Sequence, residues 1–303
     1  MKIRANGLQF DVQVDEPLPT PSAPSAPGQA STVLLTMGLG MQWVAWPEPF
    51  VDALRRAGHR VVRYDNRDIG LSSHLDDLGQ PNMPWQFVKH KLGFTPTHPY
   101  TLQDMAQDAL GILDALGVDR AHLIGVSMGG MISQRMAATA PQRVRSLTSV
   151  MSSSGAPGLP GPTAAVSKAM MQRPASLDPQ DIVAQTLALF RVIGSPAYPQ
   201  DAAHLRERLL AGVLRSYHPQ GVVRQTLAVV ADTDRHTLLP RITCPTLVIH
   251  GTADPLVPLA CGEDTARRIP GARFHAIAGM GHDWPPALIP QWLDLILPHL
   301  ANA

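Results

Sequence analysis

The chain has 303 residues, 45% of them hydrophobic and 16% charged, with a formal net charge of +1. That length holds one large α/β domain or two medium ones around an ample buried core. The near-neutral balance, without any run of Lys or Arg, leaves no electrostatic footprint for nucleic acid or an anionic membrane, and neither is expected as a partner.

Residues 1–7 lack the apolar core of a signal peptide, and nowhere do eighteen apolar residues follow one another, so a cytoplasmic protein is expected. Residues 3–15 alternate around Asn6-Gly7, with Ile3, Leu8, Phe10, Val12 and Val14 on one face, the pattern of a β-hairpin with a tight turn. The proline-rich stretch 17–28 cannot donate a regular ladder of hydrogen bonds and predicts an extended exposed loop. Thr32–Thr36 is a short apolar run, as expected of a central parallel strand, ending in Met37-Gly38-Leu39-Gly40, where backbone N–H groups are free to turn inward. Trp46 to Ala57 reads as a helix stopped by Gly58, His59 to Asp65 as the next strand, and residues 66–72 as a polar loop. Asp65, Arg67 and Asp68 are expected to brace that loop by hydrogen bonds and ion pairs.

Residues 81–99 carry scattered prolines without a sustained period and predict a long surface excursion with a helical turn at most. Thr101 to Leu116 is an amphipathic helix, with Thr101 placed to cap it and Asp104 three residues on. Next comes Leu123-Ile-Gly-Val-Ser-Met-Gly-Gly130, a Gly-x-Ser-x-Gly pattern between a strand and a helix running from Met128 to Thr139. Only residues without Cβ fit two positions either side of a serine held on so sharp a turn. Alone the pattern is weak, arising by chance in roughly one chain in ten of this length. Val144 to Met151 is the following strand.

Strand and helix alternate from residue 32 to 151, which implies βαβ units, a mainly parallel sheet and helices on both faces. The alternation then breaks. After a Ser/Gly/Pro-rich loop to residue 162, only helical patterns follow: Ala164–Met171, Asp181–Ile193, Pro199–Leu214 and Gly221–Thr233. An insertion of this kind most naturally lies over the carboxyl ends of the strands as a lid. Met170, Met171, Phe190, Tyr198 and Tyr217 either line a substrate cavity there or pack the insertion, packing being the commoner use of such residues. The sheet resumes with Pro245–Gly251, a helix to Arg268, a last strand Ala272–Ile277 and a closing helix Pro285–Leu300. The expected division is a core of residues 1–151, a helical cap of 152–239 and the second part of the core, 240–303. No internal repeat emerges, and Cys244 and Cys261 are too few and too isolated for a disulfide framework or a metal site.

Ser127, Asp254 and His282 each fall in a loop directly after a strand, and in parallel sheets that end of the strands is where ligands bind. Ser127 is suited to attack a carbonyl carbon, His282 to carry its proton, and Asp254 to orient the imidazole. The Met128 N–H, at a helix start that favours negative charge, and the Leu39 N–H are the expected oxyanion donors. His250 and His275 compete for the role of base, but one ends an apolar strand and the other lies within one, where packing or a local hydrogen bond is the commoner use. Asp283, next to His282, points elsewhere.

With these residues in place, the chain resembles the α/β-hydrolase superfamily, and within it esterase-type members similar to aclacinomycin methylesterase. The resemblance rests on Met37-Gly-Leu-Gly40 with Trp46-Pro47, on Arg63-Tyr-Asp-Asn-Arg-Asp-Ile-Gly70, on Gly125-Val-Ser-Met-Gly129, on Asp254-Pro255 after a strand, and on Gly279-Met-Gly-His282. It implies a cofactor-independent, metal-free serine hydrolase acting on a small-molecule carboxylic ester, with nucleophile Ser127, acid Asp254, base His282 and oxyanion donors Leu39 and Met128. Where many relatives have His-Gly, this chain has Met37-Gly38, so histidine support of that loop is absent. A lactonase, a C–C bond hydrolase or a cofactor-free perhydrolase would use the same serine machinery, and a non-catalytic small-molecule receptor the same scaffold. The sequence carries no signal for the oligomeric state.

Overall fold

Alternate residues of the central strands face opposite sides of one sheet, and both sides are covered. Leu34, Val62 and Leu123 join one apolar cluster, while Val33, Leu35, Val61 and Ile124 join a second. The computed structural model describes residues 1–19, 30–79, 82, 85, 86, 88, 89, 92, 94 and 96–303. Among them eight strands form the sheet: β1 (Lys2–Ala5), β2 (Leu8–Asp15), β3 (Thr32–Thr36), β4 (Arg60–Tyr64), β5 (Ala121–Val126), β6 (Val144–Val150), β7 (Thr246–Gly251) and β8 (Arg273–Ile277). Their order is β1-β2-β4-β3-β5-β6-β7-β8. β1 and β2 form the antiparallel hairpin, with Asn6 and Gly7 both at positive φ in its turn, and β2 runs antiparallel to β4. From β4 to β8 all pairings are parallel.

One face is covered by α2 (Leu102–Ala115) and α3 (Met128–Thr139), the other by α1 (Glu48–Arg56) and α10 (Ile289–Ala301). Thr101 starts α2 as the sequence predicts: its Oγ1 accepts from the Asp104 N–H at 3.0 Å, and the Asp104 carboxylate accepts from the Thr101 N–H at 2.8 Å. Between β6 and β7 lie four helices, α4 (Ala164–Met170), α5 (Pro179–Ile193), α6 (Ala202–Arg215) and α7 (Pro219–Val230), then a single turn, α8 (Arg235–Leu238), which periodicity did not reveal. α9 (Leu259–Arg268) packs beside β7 and β8.

The expectation of an exposed loop over residues 17–28 lies, for 20–28, outside the described residues. Within 81–99 the described residues 85, 86, 88 and 89 are helical, and the Gln86 side chain accepts from the Thr97 N–H at 2.8 Å. Packing of the aromatic and methionine side chains in the insertion needs correction for three of them. Met170, Met171 and Tyr217 are 41%, 79% and 39% exposed; for the two methionines this is because Val166 and Ala169 already occupy the inner face of α4. Tyr198 does pack against the sheet's apolar cluster. Cys261 is buried, whereas Cys244 is half-buried; both are free thiols. No described helix is long and apolar enough to cross a membrane.

Candidate active site

β5 ends in a turn so sharp that Ser127 adopts φ 52° and ψ −120°, a left-handed conformation that L-residues avoid. The flanking glycines permit it, though the crowding is not with the serine itself. A Cβ on Gly125 would overlap the carbonyl of Gly129, and a Cβ on Gly129 would overlap the carbonyl of Thr36 at the end of β3. The sheet edge and the helix start are in direct backbone contact. Ser152, just beyond β6, donates to the Ser127 carbonyl at 2.8 Å and braces the turn from the other side.

The structure brings together the three residues that sequence order places far apart. Ser127 Oγ lies 3.0 Å from His282 Nε2, and His282 Nδ1 lies 2.7 Å from Asp254 Oδ2. A carboxylate can only accept, so Nδ1 carries the proton and Nε2 presents its lone pair to the serine hydroxyl. The other Asp254 oxygen accepts from the backbone N–H groups of Leu256 and Val257, at 2.9 and 2.8 Å. Asp254 thus serves at once as an Asx-type turn residue and as the imidazole's partner. Asp254 and His282 are buried and Ser127 is half-buried, which excludes bulk water from the contacts.

His250 is occupied otherwise, by the local hydrogen bond expected of it. Burial pushes the His250 pKa down, and its Nε2 donates to the Val257 carbonyl at 2.7 Å. His275 lies within β8. Asp283 does point away: it accepts hydrogen bonds from the hydroxyl of Ser195 and from Gln200 Nε2, and burial pushes its pKa up.

Gly38 is packed against the nucleophile, its Cβ position 3.3 Å from Ser127 Cβ. The Gly38 carbonyl accepts from the Met41 N–H at 3.2 Å, closing a turn with Gly40 at φ +70°. Positive φ at the third residue marks type II geometry. Neither the Leu39 nor the Met128 N–H has an acceptor among the described residues. Met37, in the position of the absent histidine, is buried in the apolar cluster. Support of this loop comes from the helical insertion, through Gln225, whose Oε1 accepts from the Gly40 N–H at 2.9 Å.

That contact, like the ones to the base loop, was not visible in the sequence. The Ile193 carbonyl at the end of α5 accepts from the His282 N–H at 2.7 Å, and Ser195 Oγ accepts from the Gly281 N–H at 2.8 Å. Gly194 and Gly281 are so close that a Cβ on Gly281 would overlap the Gly194 carbonyl. The only local hint was the density of glycine around His282.

The polar loop after β4 is braced as expected. Asp65 accepts from the Trp43 and Leu71 N–H groups and from Arg215, at 2.8, 2.9 and 2.7 Å, while burial pushes its pKa up. Arg67 forks onto Asp108 and Arg224 onto Asp68. Burial acts to raise the Asp68 pKa, but the hydrogen bonds from Arg224 and the Leu75 N–H outweigh it and hold the carboxyl below its usual range.

One group among the described residues has the donor types of a metal site: His74, Asp76 and His218, with ligand atoms within 4.8 Å of one another. Its geometry serves another use. The imidazoles are stacked at 3.8 Å, so their in-plane lone pairs do not converge, and both His218 nitrogens face acceptors, the Asp68 carbonyl and the Asp76 carboxylate.

The profile of a family described as alpha/beta hydrolase fold matches residues 31–284. Rhodomycin D methylesterase DnrP of Streptomyces peucetius is 32% identical over 276 residues, which cover 84% of this chain and 86% of that protein. A putative carbamate hydrolase, RutD, of Variovorax paradoxus is 30% identical over 260 residues, covering 84% and 86%. Among solved structures, the meta-cleavage product hydrolase CumD of Pseudomonas fluorescens IP01 superposes with a TM-score of 0.74 at 17% identity, over 100% of this chain and 97% of that one.

Proposed function

The chain belongs to the alpha/beta hydrolase fold family and is an esterase-type hydrolase; from that premise we propose that it cleaves a small-molecule carboxylic ester through a Ser127–His282–Asp254 triad and an acyl-enzyme. The observation that carries this reading is the unbroken series of contacts, 3.0 Å from Ser127 Oγ to His282 Nε2 and 2.7 Å from His282 Nδ1 to Asp254.

In the first step Ser127 Oγ bonds to the ester carbonyl carbon while its proton passes to His282 Nε2. The carbonyl π electrons move onto oxygen, and the Leu39 and Met128 N–H groups bind the resulting oxyanion. Asp254 stabilises the imidazolium by its charge and holds the ring in place. The oxyanion electrons then re-form the carbonyl, the C–O bond to the alkoxy group breaks, and His282 gives that oxygen its proton. In the second half water replaces the alcohol, His282 takes the water's proton, and Ser127 leaves with a proton as the acid is released.

Residues 152–239 act as a cap over this chemistry, since α5 and α7 reach the loops that carry His282 and Leu39. A methyl ester is the substrate class to examine first, because rhodomycin D methylesterase is the relative with the greater identity of the two curated ones above.

A fluorophosphonate probe, followed by turnover of methyl esters, p-nitrophenyl esters of graded length and lactones, tests the proposal with Ser127→Ala as blank. Stoichiometric labelling and ester turnover that vanish in the variant are expected. Folded wild-type protein that is never labelled, or turnover that survives Ser127→Ala, overturns the reading. Ligand binding without turnover in both proteins would identify a receptor instead.

A further inference from the structure

Gln225 is completely buried although its side chain is polar, and both ends of its carboxamide are used. Its Oε1 accepts from the Gly40 N–H and its Nε2 donates to the Arg67 carbonyl, each at 2.9 Å. The two partners lie in the loops after β3 and β4, so one side chain of the cap ties together two loops of the core. α7 is held against those loops on the same face. Arg224 forks onto Asp68 at 2.8 Å through two nitrogens, and a Cβ on Gly221 would overlap the Asp68 carbonyl.

The bond to Gly40 has a specific geometric effect. Leu39 and Gly40 are the central residues of the type II turn closed between Gly38 and Met41, and the Gly40 N–H belongs to the turn's central peptide. Types I and II differ by a rotation of that peptide, which changes ψ at the second residue and φ at the third. An acceptor fixed on the Gly40 N–H removes the freedom to flip. With the next peptide locked and the Gly38 carbonyl held by Met41, the Leu39 N–H keeps one direction. Hydrogen-bond donors act on an oxyanion only as far as they are already aimed at it.

Building on the hydrolytic reading above, we infer that Gln225 is a positioning residue for the oxyanion site, holding the Leu39–Gly40 peptide so that the cap takes part in turnover as well as in covering the substrate. Gln225 touches no reacting atom; it acts through Leu39.

Two substitutions separate this role from a purely structural one. Gln225→Met removes both hydrogen bonds at similar volume. It should lower kcat about ten- to a hundredfold, less than the loss of an oxyanion donor itself, with KM within about threefold. The Ki of an alkyl boronic acid, whose tetrahedral oxygen occupies the oxyanion position, should rise by the same factor as kcat/KM falls, while fluorophosphonate still labels Ser127 to completion. Gln225→Glu retains an acceptor for Gly40, and in this buried place its neutral carboxyl also donates to Arg67. Since the Gly40 N–H keeps its acceptor in either protonation state, the kcat of this variant should remain within a few-fold of wild type and well above that of Gln225→Met.

Unchanged kcat in Gln225→Met, or a loss of kcat with an unaltered boronate Ki, overturns the inference. Should Gln225→Met fail to fold, a folded Gln225→Glu that keeps the acceptor for Gly40 yet loses kcat a hundredfold with an unaltered boronate Ki overturns it equally. Absence of labelling and turnover in the wild type itself removes the hydrolytic reading and this one together.

Discussion

Gly129 and Thr36 meet backbone to backbone: no side-chain atom fits between the first turn of α3 and the carboxyl end of β3. Gly129→Ala must therefore displace main chain, and a loss of several kcal/mol is expected in denaturant melts, with activity lost alongside. Gly117, at φ +67° in open space, supplies the contrast. Gly117→Ala should cost only about 1–2 kcal/mol, the penalty of left-handed backbone alone.

Asp254→Asn is the sharper test of the triad. The Leu256 and Val257 N–H groups still find an amide oxygen, so the melting temperature should stay within a few degrees. The amide can also donate to Nδ1, which puts the imidazole proton on Nε2 and leaves no lone pair facing Ser127, and kcat should fall about 10⁴-fold. Steady-state kinetics beside a thermal melt check both halves.

Acid sensitivity should arise partly at His122 on β5. Burial, with the positive charge of nearby His59 and Arg145 adding to it, pushes its pKa down to about 3 from 6.5. Above about pH 6.5 the imidazole is neutral folded and unfolded, and contributes no pH dependence. As the pH falls towards 3 only the unfolded chain takes up the proton, so stability drops, by up to roughly 1.4 kcal/mol per pH unit. Urea midpoints between pH 7 and 4 should show this slope in the wild type and a shallower one in His122→Gln. Burial pushes His59, His250 and His299 down as well, so some slope remains.

The buried pair of Arg67 and Asp108 joins the loop after β4 to α2. Arg67→Met should cost about 3–5 kcal/mol, because Asp108 is left buried with only Asn6 as partner. Adding Asp108→Leu should return most of that loss, since no charge then lacks a counterpart. Equilibrium melts of the two single variants and the double variant close the cycle.

The sequence made the sheet legible because its strands are short apolar runs ended by glycine, and because helical periods alternate with them up to residue 151. The start of α2 was legible from Thr101 and Asp104. Ser127, Asp254 and His282 were found for a topological reason: parallel strands bring their carboxyl ends to one rim, and the structure sets these three in hydrogen-bonding series. Contacts between the helical insertion and that rim were not legible. Gln225, Ile193 and Ser195 sit in ordinary helical or loop sequence, and their partners lie 185, 89 and 86 residues away. No local pattern encodes such a separation. Exposure of Met170 and Met171 was misread for a related reason, since period alone does not say which stripe of a short helix faces inward.

β6 and β7 are adjacent and paired from Leu147↔Thr246 to Val150↔Ile249, so the whole helical block leaves and re-enters the sheet at neighbouring strands. A transplant of that block from another protein would leave every strand pairing in register. On the proposed reading of that block as a cap, grafting one continuous segment is expected to change substrate preference. The graft will support rapid chemistry only if it brings an amide oxygen to Gly40 and a carbonyl to the His282 backbone, two anchor points that restrict which donors are compatible.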